Sequence, residues 1–147
     1  MDKCCKMANL YVATLRSLYL IHQYNHWTTK GNDYYGNHLL FQRIYETSQK
    51  SADLAAEKFI GVLGEECVDY VMQAELINKI LTKYKSLAGS PLELSLQAEK
   101  EFVKLCDTAY DCFENEGKMT LGLDDMIMAT ANNHEENIYL LQQAIAK

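Results

Sequence analysis

The chain has 147 residues, 48% of them hydrophobic, with 14 Lys and Arg against 20 Asp and Glu for a formal net charge of −6. That composition suits one ordinary domain over residues 1–147, long enough for a real core and short for two. The acidic balance speaks against a general nucleic-acid surface, since phosphate binding draws on clustered Lys and Arg, and only Lys3 and Lys6 decorate the N-terminus. No window comes near the roughly 18 apolar residues a membrane span requires, and MDKCCKMANL lacks the apolar run of a signal peptide. Five cysteines, with Cys4 and Cys5 adjacent and Cys67, Cys106 and Cys112 scattered, read neither as a disulfide framework nor as a zinc site. The expectation is a cytoplasmic protein whose thiols are reduced and mostly pack as small hydrophobes.

One proline and seven glycines leave room for long helices. From about Lys6 to Lys30, Met7, Tyr11, Leu15, Leu18, His22 and His26 recur at steps of three or four, one face of a helix that Gly31 and Asn32 end. A second helix is expected from about Tyr35 to Leu63, with His38, Phe41, Tyr45, Ala52, Ala56, Phe59 and Leu63 on its stripe and Gly64 as its stop signal. The short connection makes these two antiparallel neighbours. Val68, Val71, Met72, Leu76, Ile77, Ile80, Leu81 and Tyr84 mark a further helix in a stretch too long for a hairpin turn, which therefore crosses the bundle. Ser90, Pro91 and Glu93 form a capping box that opens a helix running to Glu116, with Leu94, Ala98, Phe102, Leu105, Ala109 and Phe113 inward. The last helix starts near Thr120 or Leu121 and carries Leu123, Ile127, Thr130, His134, Ile138, Leu141 and Ile145 on one face. Four amphipathic helices with one long crossover predict an all-α, ferritin-like four-helix bundle with an additional helix in the crossover between the second and third bundle helices.

Candidate ligands concentrate between His22 and Glu57. Asp53 and Glu57 lie one turn apart, and imidazole with carboxylate suits iron, manganese or zinc. His38 and Asp53 share one helix but are separated by about 22 Å of rise, so they cannot bind one ion within one subunit. His26, near the end of one helix, and His38, near the start of the next, can approach each other. If two subunits pack antiparallel about a two-fold axis, the carboxylates of one can face the histidine corner of the other. An intrabundle di-iron centre would show Glu-x-x-His motifs, and the sequence has none.

The ordered set His26-Trp27, Lys30-Gly31, Tyr35, His38, Phe41, Tyr45, Asp53, Ala56-Glu57 and Leu63-Gly64 resembles the signature of the Dps family, the DNA-protection-during-starvation miniferritins, and the similarity extends weakly over nearly the whole chain. The resemblance implies a hollow homododecamer that binds Fe(II) at two-fold interfaces, oxidises it with hydrogen peroxide in preference to oxygen, and stores ferric mineral. It implies His26 and His38 as metal ligands from one subunit, Asp53 and Glu57 from its mate, and Trp27 as an electron or radical sink.

The sequence departs from that pattern in two places. The family usually has an aspartate one turn after the second histidine, where this chain has Gln42, a neutral oxygen donor and so a weak ligand; Glu46 stands a further turn on. The Lys/Arg-rich tail through which family members often hold DNA is missing, and twelve copies at −6 each carry about −72, so DNA binding is not expected. His22 and His134, on apolar stripes, are expected to pack or hydrogen-bond inside the bundle. The acidic residues Asp111, Glu114, Glu116, Asp124 and Asp125 suit either a negative pore or an ordinary charged junction. The expected activity is a ferroxidase with iron storage; the alternative is a catalytically weak Dps-like shell or interaction protein.

Overall fold

The structure, a computed structural model, describes residues 1–146. It contains five α-helices, α1 (Lys3–Thr28), α2 (Tyr34–Leu63), α3 (Tyr70–Ser86), α4 (Pro91–Asn115) and α5 (Leu121–Ile145), with a 3-10 turn at Glu65–Cys67. The described residues form no strand, and no helix is long and apolar enough to cross a membrane.

Four of the five helices open on a side-chain cap. Asp2 accepts the Cys5 N–H at 2.8 Å, Asp69 accepts those of Val71 and Met72, Ser90 that of Glu93, and Thr120 that of Leu123. Each cap satisfies donors with no partner inside the helix and contributes on the order of 1 kcal/mol. The Asp2 cap explains why α1 starts three residues earlier than its apolar stripe indicates. Gly31, at φ 101°, adopts the left-handed backbone that reverses the chain between α1 and α2.

The bundle closes as a ring in which α1 packs on α2, α2 on α5, α5 on α4 and α4 on α1. Asn25 of α1 bonds the Pro91 carbonyl at one end of α4, while the Cys112 thiol of α4 approaches the Lys3 carbonyl at the other, so α1 and α4 run antiparallel. Arg43 with Glu136, and Lys58 beside Gly122, show the same for α2 and α5. The crossover helix α3 lies against the outside of α1. Asn9 holds it there by accepting from the Asp69 N–H and the Gln73 amide, and Arg16 donates to Gln73 at 2.9 Å.

Tyr11 is fully buried between Phe59 and Phe102, edge-on to both rings. On α4 the buried stripe is Ser95, Ala98, Glu99, Phe102, Cys106, Ala109 and Phe113. It keeps Ala98, Phe102, Ala109 and Phe113 of the expected face, but Leu94 and Leu105 are only half-buried, and Ser95, Glu99 and Cys106 turn inward. One expectation is overturned. Cys5 and Cys67 form a disulfide that ties the start of α1 to the 3-10 turn after α2. Their separation of 62 residues hid the pairing in the sequence, and in the chain-entropy model closing such a loop stabilises by about 4 kcal/mol.

The polar centre of the bundle is Glu99, fully buried with His22 and His134. Glu99 Oε1 faces His22 Nε2 at 2.9 Å and accepts from Asn137 Nδ2 at 3.0 Å; Oε2 faces His134 Nδ1 at 2.6 Å. The far ring nitrogens meet Ser95 and Ser51, each at 2.9 Å, and Asn25 donates to Ser95. Among the described residues no buried side-chain nitrogen or oxygen lacks a partner. Burial alone would push the Glu99 carboxyl up, but the charge and hydrogen bond of His134, and then those of His22, outweigh it and hold the group at about 2.

A folded-state pKa below the ordinary 4.5 stabilises the fold above pH 4.5 and loses that contribution as pH falls from 4.5 towards 2. Equilibrium unfolding across that range should therefore show stability falling with acidification, and Glu99→Gln should flatten the Glu99 part of the slope. His134→Ala, which leaves the carboxylate buried without its main partner, should cost about 3–5 kcal/mol at neutral pH. A loss under 1 kcal/mol would mean that the centre relaxes around water.

Candidate metal centre

The α1–α2 corner brings His26 and His38 together. Their rings stack with centroids 3.7 Å apart and planes 15° from parallel. The pairing is reciprocal: His26 Nδ1 faces the His38 carbonyl at 2.6 Å, and His38 Nδ1 faces the His26 carbonyl at 2.8 Å. Its origin is local. His26 sits in the last turn of α1, where carbonyls have no helical partner, and the short connection swings the second turn of α2 into reach.

A carbonyl oxygen only accepts, so each Nδ1 must carry its hydrogen. In the neutral ring that leaves Nε2 with a free lone pair, and neither Nε2 has a hydrogen-bond partner among the described residues. A carbonyl that holds Nδ1–H fixes the ring's orientation and points Nε2 outward, where it can meet a metal. Tyr34 stacks on His38 at 5.0 Å, and Tyr45 meets His26 edge-on at 5.4 Å, itself edge-on to Tyr19. Both histidines remain partly open to solvent, and Trp27 is 65% exposed beside them.

The carboxylates lie elsewhere. Asp53 stands fifteen positions beyond His38 on the continuous α2, about 22 Å along it, and Glu57 is a further turn away. Both are exposed. Asp53 lines an open groove of about 920 Å³ with Arg16, Tyr19, Glu46, Lys50 and Gln73. Within one subunit the histidine pair and the carboxylate pair therefore do not meet. Gln42 donates from Nε2 to Glu46 Oε1 at 3.1 Å. Its carbonyl oxygen keeps its lone pairs, while Glu46 is drawn along α2 towards the amide.

Sequence reasoning put His22 and His134 inside the bundle but missed Glu99 between them. The signal was present: Ser95, Glu99, Phe102 and Cys106 follow the helical step of the buried stripe. It also missed Tyr34 and Tyr19 near the histidine pair, which no local pattern distinguishes from the other eight tyrosines.

No protein-family model matches the chain, and no curated protein sequence matches it. Solved structures do. Dps from Thermosynechococcus elongatus superposes with a TM-score of 0.81 at 18% identity, covering 99% of this chain and 91% of that one. Dps from Microbacterium arborescens in its high iron form superposes with a TM-score of 0.76 at 16% identity, covering 98% and 93%. The chain thus has the all-α, ferritin-like fold of Dps structures over nearly its whole length. At such identities the likeness establishes fold, and the site must be argued from the residues.

The histidine clasp makes a spectroscopic prediction. Nitrogen-15 spectra of the metal-free protein above pH 8 should show both His26 and His38 as the Nδ1–H tautomer. His38→Ala should return His26 to a tautomer mixture. An Nε2–H signal for either ring in the parent would show that the clasp does not form.

Proposed function

We propose that this chain is a Dps-type miniferritin subunit that binds Fe(II) as substrate at two-fold intersubunit sites, oxidises it and stores the ferric product inside a homododecameric shell. The observation that carries the reading is the histidine clasp: two imidazoles whose Nδ1 atoms face backbone carbonyls, leaving each Nε2 without a partner among the described residues, on a chain that keeps its carboxylate pair about 22 Å away. A second copy supplies what the first lacks. His26 and His38 of one subunit and Asp53 and Glu57 of its mate give the mixed nitrogen and oxygen donor set that suits Fe(II). Exposed apolar side chains near the α1–α2 connection, Tyr24, Trp27, Tyr35 and Leu39, suit burial against that mate.

Two Fe(II) ions give one electron each to one hydrogen peroxide, and with water the products are ferric oxyhydroxide and protons. This chain's residues hold the ions with neutral nitrogen and anionic oxygen, and carboxylates take up protons released as iron hydrolyses. The family resemblance supports Trp27, next to His26 in sequence and exposed, as the group that would give up an electron when only one iron is present. The net charge of −6 per chain opposes DNA as a partner and favours attraction of Fe(II). A catalytically weak shell or interaction protein is the second reading. What favours it is Gln42, whose amide brings no negative charge to the corner and ties Glu46 to itself.

Native mass measurement should give about 200 kDa, twelve times the 16.8 kDa subunit. A His26→Ala/His38→Ala subunit and an Asp53→Ala/Glu57→Ala subunit should each oxidise Fe(II) at least about tenfold more slowly than the parent. Co-assembled, they reunite one intact site per mixed interface, and rapid oxidation should partly return. Mixed shells, verified by mass, that are no faster than the separate mutants would sink the shared centre.

Gln42→Asp addresses the second reading. It removes the amide donor to Glu46 and restores a charge, so Fe(II) affinity should rise by about tenfold, as for other changes at the margin of a metal site. Titration calorimetry under anaerobic conditions reads this directly, and an unchanged affinity means that Gln42 does not limit the site.

A further inference from the structure

At the opposite end of α1, about 31 Å from His26 by helical rise, Asp2, Cys5 and Cys67 come together. The two sulfurs and a carboxylate oxygen of Asp2 all lie within 4.8 Å of one another. The cysteines are 5% and 3% exposed, whereas Asp2 is open to solvent. Two independent local features build the cluster. Asp2 is fixed as the cap of α1 by its bond to the Cys5 N–H. Cys67 is delivered by the 3-10 turn that follows Gly64, whose φ of 103° lets the chain bend back from α2.

In the structure the sulfurs are joined. Small-molecule thiols can open the bond: each of two reductant thiols gives one electron and one proton, and the reductant leaves as its own disulfide. The Cys5 and Cys67 Cα atoms are 4.2 Å apart, so neither backbone has to move for the freed sulfurs to stay neighbours. A tetrahedral ion with metal–sulfur bonds of about 2.3 Å wants its sulfurs about 3.8 Å apart, a separation that rotation about the two Cα–Cβ bonds supplies.

We propose that in the dithiol state Asp2, Cys5 and Cys67 form a binding site for one thiophilic divalent cation of the zinc class, and that the disulfide is the state that excludes it. Two thiolates and a carboxylate supply three negative charges. The exposed Asp2 side leaves a fourth position for water. Sulfur donors select zinc-class ions over Fe(II), so the site does not compete with the histidine corner for iron. The remaining thiols are poorer candidates. Cys4 and Cys106 are buried, which pushes the Cys4 thiol up and that of Cys106 up to about 12, and Cys112 turns towards the Lys3 carbonyl at 4.0 Å.

Peroxide completes the cycle with atoms and charges balanced. The two thiolates give two electrons to hydrogen peroxide, the sulfur–sulfur bond forms, the cation leaves, and two protons convert the peroxide to two waters. A peroxide-consuming shell would then release a thiophilic cation when peroxide rises.

The test uses Cd(II) on the full-length protein in a His26→Ala/His38→Ala background, which removes the proposed iron ligands. Reduced and desalted without oxygen, the protein should bind one Cd(II) per chain and show the ultraviolet thiolate-to-cadmium charge-transfer band; the oxidised protein should show none. One equivalent of peroxide should erase the band and release the cadmium. Cys5→Ser should abolish the band, and Cys112→Ser should leave it. Asp2→Asn is the variant that keeps the fold, because asparagine caps a helix as well as aspartate; it should keep the unfolding temperature and weaken Cd(II) binding at least tenfold. A reduced protein with no band, a band that survives Cys5→Ser, or Asp2→Asn binding as tightly as its parent overturns the proposal. None of these outcomes bears on the histidine clasp, so failure here and failure of the iron reading are distinguishable.

Discussion

A charged carboxylate at the centre of a four-helix bundle is the constraint on which the rest of the molecule depends. Taking a carboxylate out of water costs several kcal/mol even after relaxation, and it is tolerated only where hydrogen bonds and opposite charge are complete. Here every bundle helix contributes: His22 and Asn25 from α1, Ser51 from α2, Ser95 and Glu99 from α4, His134 and Asn137 from α5. Apolar stripes alone tolerate a slip of one helix along another, because Leu, Ile and Phe repack at modest cost. A network with fixed donors and acceptors does not, so Glu99 sets the register of all four helices at once.

That register positions the candidate site. His26 lies one turn beyond His22, so the depth at which His22 meets Glu99 also sets where α1 ends and which carbonyls it offers to α2. On α2, Ser51 faces inward to His134 while Asp53, two residues on, faces out. The buried centre thus orients both the histidine pair and the carboxylate pair, neither of which it touches. The chemistry of the corner is separate from this scaffold: it comes from the His26 carbonyl at the end of α1, the His38 carbonyl in the second turn of α2, and a loop short enough to bring the two rings to them.

Helical periodicity made the five helices and their antiparallel order legible, because 3.6-residue stripes and short connections are local signals. The nearness of His26 and His38 was legible for the same reason, and so was their distance from Asp53 along one helix. What stayed hidden was everything decided by contact between distant segments. Glu99 was passed over because a stripe read by apolarity skips a carboxylate whose partners come from α1 and α5. On α4 the expected Ala98, Phe102, Ala109 and Phe113 do face inward, and only the edge of the stripe differs, where Ser95 and Cys106 are buried and the more apolar Leu94 and Leu105 are half-buried. The link between Cys5 and Cys67 had no local sign at all, as loop length alone does not select one pair among five cysteines. The tautomer of the histidine pair was equally out of reach, because it depends on which backbone oxygen each ring meets.

The neutral character of the clasp has a consequence for the proposed oxidation. Many metal-bound histidines lean on a carboxylate, which raises ligand basicity and adds charge to the second shell. Here both lean on carbonyls, and the nearby helical position that would add an aspartate carries Gln42. On the proposed reading the anionic charge around iron then comes mainly from Asp53 and Glu57 of the mate. A less negative site binds Fe(II) less tightly, but the penalty is larger for Fe(III), whose extra charge makes its affinity depend more steeply on ligand charge. On that reading Gln42 lowers product retention more than substrate capture. A shell that must hand each oxidised ion on to a growing mineral is served by that balance, and a shell built to keep iron at its interface is not.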